Sequence, residues 1–77
     1  MYNYPICNMA DEDIFAKQCA AIENYLKPLE KSDVIEDVDG SKIQLYTFQE
    51  HNIKVVNSYY TNEVYVESEI DIKPYFS

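Results

Sequence analysis

The feature that most constrains this chain is a change of hydrophobic period at Asp33, a little before its midpoint. Before Asp33, the apolar residues Ile14, Phe15, Cys19, Ile22, Tyr25, Leu26 and Leu29 recur at helical spacing and form one stripe. After Asp33, apolar and polar residues alternate with a period of two, the spacing of strands. A chain that changes period once in this way is expected to fold as an α+β unit, with its helix laid on the sheet that follows. Its 77 residues leave room for one domain spanning 1–77. Area scaling for this size implies that about 63% of the unfolded surface is buried on folding, which leaves little core for a deep catalytic cleft.

Residues 1–8 include Tyr2, Tyr4, Pro5 and Ile6 and read as an extended arm or a short edge strand. A helix is expected over 9–27. Asn8 is positioned to cap it, and Asp11, Glu12 and Asp13 fall in its first turn, where the helix dipole favours negative charge. Pro28 removes a backbone donor and pushes Lys27 off helical dihedrals, so the regular helix should end near Tyr25–Lys27.

The sheet is expected over 33–73. Val34–Val38 and Lys42–Phe48 flank Asp39-Gly40, a dipeptide suited to a tight hairpin turn and the location of the only glycine. Gln49–Asn52 makes a second turn, Ile53–Tyr60 a third strand, and Thr61-Asn62 a further turn. In the last strand Val64, Val66, Ser68, Ile70 and Ile72 point one way, while Tyr65, Glu67, Glu69 and Asp71 point the other. Pro74 ends it. Short turns require antiparallel neighbours. The expected architecture is therefore one N-terminal helix packed on a four-stranded antiparallel meander. Lys42–Phe48 is the untidy strand, because Ile43 and Leu45 face opposite to Tyr46 and Phe48. A bulge, or burial on both faces, would account for that.

Charge narrows the function. Fourteen Asp and Glu stand against six Lys, without a single Arg, for a formal net charge of −8. A binder of phosphate backbones needs clustered cations, so direct nucleic-acid binding is not expected, nor is attraction to an anionic membrane. A basic protein is the favoured partner, because acidic charge steers positively charged surfaces toward it. The first residues carry no secretory signal, and no apolar run approaches the ~20 residues of a membrane span. Cys7 and Cys19 read as reduced thiols, and the chain is expected to be cytoplasmic.

No constellation singles out catalysis. His51 is the only histidine, lies in a turn, and has no sequence neighbour to orient it. Cys19 falls on the apolar stripe of the helix, where cysteine packs as a small hydrophobe. Asp37-Val38-Asp39-Gly40-Ser41 opens like a calcium loop, but Ile43, Leu45 and Tyr46 follow where further ligands would be needed. One glycine cannot build a phosphate-cradling loop. No catalytic residue, cofactor or metal site is expected, and the chain should not be an enzyme.

The most informative coincidence is that of acids with tyrosines, of which there are eight. Tyr65 shares one face of the last strand with Glu67, Glu69 and Asp71, in a row with ~6.7 Å between successive acids. Tyrosine adds rigid contact area with a polar tip. The expected partner-binding residues are Glu63, Tyr65, Glu67, Glu69 and Asp71, extended by Tyr60 and by the hairpin acids Glu36, Asp37 and Asp39. In size, charge and aromatic content, though in no alignable motif, the chain resembles the small acidic inhibitors of phages and bacteria. These include immunity proteins that neutralise nuclease toxins and counter-defence proteins that imitate nucleic acid. The resemblance implies a stoichiometric inhibitor that blocks a basic, nucleic-acid-handling protein such as a nuclease. The alternative is a structural or assembly module, a homodimer in which Tyr46, Phe48 and the N-terminal tyrosines cover a second subunit's sheet.

Overall fold

In the computed structural model, which describes residues 1–76, a single α-helix lies across one face of an antiparallel sheet. The elements in chain order are β1 (Tyr2–Cys7), α1 (Glu12–Tyr25), β2 (Glu30–Lys31), β3 (Ile35–Glu36), β4 (Lys42–Phe48), β5 (His51–Ser58), β6 (Glu63–Ser68) and a closing 3-10 turn (Lys73–Phe76). The sheet order is β1-β6-β5-β4-β2, with β3 also pairing on β4, so six strands occupy five positions. The α+β class holds. The expected count of four strands does not.

Both extra strands come from segments whose pairing is non-local. The arm over 1–8 is β1, antiparallel to β6 with Tyr4 opposite Val66, and it forms one edge of the sheet. At the other edge, the expected strand Val34–Val38 is replaced by two short pieces. Glu30 and Lys31 lie opposite Thr47 and Tyr46, then Ile35 and Glu36 lie opposite Ile43 and Lys42. The pairing slips by one residue across Ser32–Val34. The buried amide of Gln44 fills the break, donating to the carbonyl oxygens of Ser32 and Leu45.

The helix is shorter than the 9–27 expected, and its cap is Asp11 instead of Asn8. Asp11 has extended dihedrals, and its carboxylate accepts from the backbone N–H groups of Asp13 and Ile14. Asn57 fixes this start from the sheet, because its side-chain carbonyl accepts the N–H of Asp11 at 3.0 Å. Regular helix stops at Tyr25, two residues before the Lys27–Pro28 bond, which is cis.

Phe15, Ile22 and Leu26 of the helix segment meet Tyr46 and Phe48 of β4, Ile53 and Val55 of β5, Val66 of β6 and Ile72 in one buried cluster. Tyr75 closes its end, its ring edge-on to Phe48 at 5.2 Å. Tyr46 and Phe48 are therefore spent inside the chain's own core and offer no surface to a second copy.

Turn chemistry sets the register. The β3–β4 hairpin turns on Asp37–Gly40, with Gly40 N–H donating to Asp37 O at 3.1 Å. Gly40 takes φ +90° as the last residue of this four-residue turn, instead of forming a two-residue loop with Asp39. Gln49 and Glu50 alone connect β4 to β5, at φ 51° and 67°, a left-handed pair built without glycine. The third strand ends at Ser58, two residues short of expectation, so Tyr59 and Tyr60 fall in the β5–β6 loop.

Candidate protein-binding surface

The face of the sheet away from the helix is left open by the described residues, and strand alternation decides what it carries. Burial on both faces, and no bulge, explains β4: its register with β5 is unbroken. Tyr46 and Phe48 go to the core, while Ile43 and Leu45 are half-buried on the open side. Register then lines up Ile35 with Ile43, Ile43 with Val56, Val56 with Tyr65, and Tyr65 with Pro5. These five residues form an apolar stripe, one residue wide, that crosses the sheet at right angles to its strands. Opposed antiparallel residues share a face with Cβ atoms ~5 Å apart, so the stripe is continuous.

On the side of this stripe facing the β3–β4 and β5–β6 turns the surface is concave. Ile35, Ile43, Val56 and Tyr65 contribute to a hollow of about 530 Å³, bordered by Asp37, Asp39, Ser41, Ser58 and Tyr60. Two loops form its walls and are joined directly. Tyr59 N–H donates to Ser41 Oγ at 2.8 Å, and the Tyr59 ring lies beside Gly40, at ordinary contact distance (3.5 Å) from where a Cβ would stand. Above the walls stand Val38 and Tyr60, the latter 90% exposed.

The acids of the rim are held in place by their own backbone. Asp37 accepts the N–H of Val38 at 2.7 Å, and Asp39 accepts that of Ser41 at 2.9 Å. The bond from Ser41 holds the Asp39 carboxyl below its ordinary value, so it stays charged. Burial pushes the Tyr65 phenol up, helped by the charges of Glu67 and Glu63, so the ring keeps its proton and presents a hydrogen-bond donor.

The expected row of acids does not survive intact. Tyr65, Tyr60, Asp37 and Asp39 come together around the hollow, and Glu63 stands beside it, opposite Ser58. Glu36 borders the hollow, but its carboxylate lies 3.9 Å from the Lys42 ammonium, which also pairs with Glu12 at 2.7 Å on the helix side. Glu67 keeps the open face but is paired with Lys54 at 3.7 Å. Glu69 and Asp71 leave the row, because β6 ends at Ser68, whose hydroxyl accepts the N–H of Ile70 and bends the chain. Glu69 then accepts the N–H of Asn52. Asp71 accepts the Tyr4 hydroxyl at 2.6 Å and the N–H of Lys73, and the bond from Tyr4 keeps its carboxyl low.

Sequence reasoning missed the floor, Ile35, Ile43 and Val56. The out-of-phase pair Ile43 and Leu45 was its signal, since apolar residues on the second side of a strand imply a second surface. His51 is the exposed first residue of β5. Cys19 packs against the core, and Cys7 is a separate free thiol. Among the described residues, no cluster of three metal-ligating side chains occurs, and no helix is long and apolar enough to cross a membrane.

Compared with protein-family models, curated proteins and solved structures, the chain matches none.

Proposed function

We propose that this chain is a small acidic protein-binding inhibitor, and that it blocks a basic, nucleic-acid-handling partner by docking the turn end of its open sheet face. One observation carries the reading. Tyr60, Tyr65, Asp37 and Asp39 converge on a hollow floored by Ile35, Ile43 and Val56. An apolar centre with rigid aromatics and a charged rim is the anatomy of a protein interface, with the centre supplying affinity and the rim supplying steering. The rim selects a cationic partner. Its acids, together with a net charge of −8, oppose a second copy docking through the same face. The mode of action is occupancy of the partner's basic surface, not turnover.

The test separates place from total charge. Asp37→Lys with Asp39→Lys changes the rim, while Glu30→Lys with Glu50→Lys makes the same change in net charge at the opposite end of β4. Capture of a basic protein from lysate at low salt, released by a salt gradient, should be abolished by the first pair. The second pair should weaken it only slightly. Equal losses from the two pairs, or capture insensitive to salt, would overturn the reading, because screening acts beyond about 8 Å at physiological ionic strength.

A further inference from the structure

The sheet's edges and its open face differ in what kind of chain they can receive. An extended segment binds a sheet by pairing with a free edge. Here β1 carries Pro5, which has no N–H to donate, and its register shifts between Pro5 and Cys7. The opposite edge is broken into β2 and β3, two residues each. Neither edge offers a long unbroken ladder. A segment laid on the open face finds no backbone partner in the sheet beneath it, so its own N–H and C=O groups must be satisfied internally once water is excluded. A helix meets that condition, and α1 shows how one packs on this sheet's other side.

Resting on the reading above, we infer that the partner element received by the open face is an amphipathic helix with a narrow aliphatic stripe and a basic flank. The stripe Ile35–Ile43–Val56–Tyr65–Pro5 crosses five strand positions, which at the usual strand spacing is about 19 Å, the length of about 13 helical residues. Its two flanks are unlike. Toward the β3–β4 and β5–β6 turns lie Asp37, Asp39 and Glu63, with the Tyr60 ring above them. On the opposite flank, toward the β4–β5 turn, lie Leu45, the Lys54–Glu67 pair, Asn3 and Met1, whose side chains sum to no net charge. A helix with aliphatic residues at i, i+3 or i+4, i+7 and i+11 covers the stripe. Its Lys and Arg belong on the flank facing the β3–β4 and β5–β6 turns, with neutral residues opposite. The hollow over Ile43, Val56 and Tyr65 accepts its largest aliphatic side chain.

Synthetic peptides of about 13 residues test this directly. One carries Leu at the stripe positions, Lys and Arg along one flank, and Gln and Ser along the other. A second has the same composition with Leu scattered round the helix, and a third has a central proline. By fluorescence anisotropy at low salt, the amphipathic peptide should bind about tenfold tighter than either control, with a gain of helical circular dichroism on binding. Ile35→Ser, at an exposed end of the stripe, and Ile43→Ser, checked for folding by its melt, should each reduce that preference. Equal binding of the three peptides would overturn the helix and leave docking by charge alone. Failure of all three, while capture of a basic partner still depends on Asp37 and Asp39, would overturn the helix and spare the proposed function. Loss of that dependence as well would remove both.

Discussion

On the helix-covered side of β4, Gln44, Tyr46 and Phe48 are buried, while on the open side their neighbours Ile43 and Leu45 keep part of their surface in water. A similar alternation runs through β5 and β6, where Ile53, Val55, Val64 and Val66 face the helix and Lys54, Tyr65 and Glu67 face outward, while Val56 lies on the outer side but is only 4% exposed. The covered face is closed and mostly apolar, although the buried side-chain nitrogen of Asn57 has no hydrogen-bond partner among the described residues. Tyr46 donates to Glu23 at 2.7 Å, and Glu23 pairs with Lys31 at 3.2 Å. The open face mixes an apolar stripe with charges of both signs and a hollow at one end. A strand can therefore close a core with one set of residues and leave the alternate set on an open face, one residue apart in sequence.

Substitutions matched between the two faces probe this contrast. The largest effect belongs to Ile22→Ala under the helix, a fully buried residue. It should cost about 3 kcal/mol by chemical denaturation, much of the stability expected of so small a fold. Tyr46→Phe should cost about 1 kcal/mol or less, since the Glu23 carboxylate that loses the bond stays partly exposed and paired with Lys31. The bond from Tyr46 holds the Glu23 carboxyl below its ordinary value. Its stabilising effect is thus present above about pH 4.3 and fades as pH falls through the lowered folded value, so an acid titration of Tyr46→Phe should be flatter there than wild type.

The double change Gln49→Asn with Glu50→Gly should stabilise by about 1 kcal/mol, because it places residues suited to positive φ in the β4–β5 turn. Thermal melts would check it. The smallest stability effect belongs to the open face: Ile43→Thr should cost less than about 1 kcal/mol, yet it should weaken partner capture. A loss of stability matching that of Ile22→Ala would erase the distinction between the faces.

Local patterns were legible before the fold was known. The helical stripe is realised at Phe15, Ile22 and Leu26 but not at Tyr25, which is 53% exposed, and the alternation of Val64, Val66 and Ser68 is realised in full. Long-range pairing was not legible. Nothing near Tyr2–Cys7 announces β6, which lies some sixty residues away, and the gap at Ser32–Val34 is filled by Gln44 from the next strand. The apolar pattern of Ile70 and Ile72 continues past Ser68 although the strand does not, because Ile72 is buried from a bend. For that reason Glu69 and Asp71 were assigned to a row they have left. Tyr65, Tyr60, Asp37 and Asp39 are legible as parts of one acidic, tyrosine-bearing surface, but the hollow that unites them depends on two loops meeting at one end of the sheet.

That meeting has a kinetic consequence. Because Ser41 receives the Tyr59 N–H, and the Tyr59 ring lies against Gly40, neither wall of the hollow can swing away without disturbing the other. A basic partner would arrive at a surface already in its final shape. Encounter would then be limited by diffusion and electrostatic steering instead of by a slow rearrangement, and tightness would be set by how long the complex lasts.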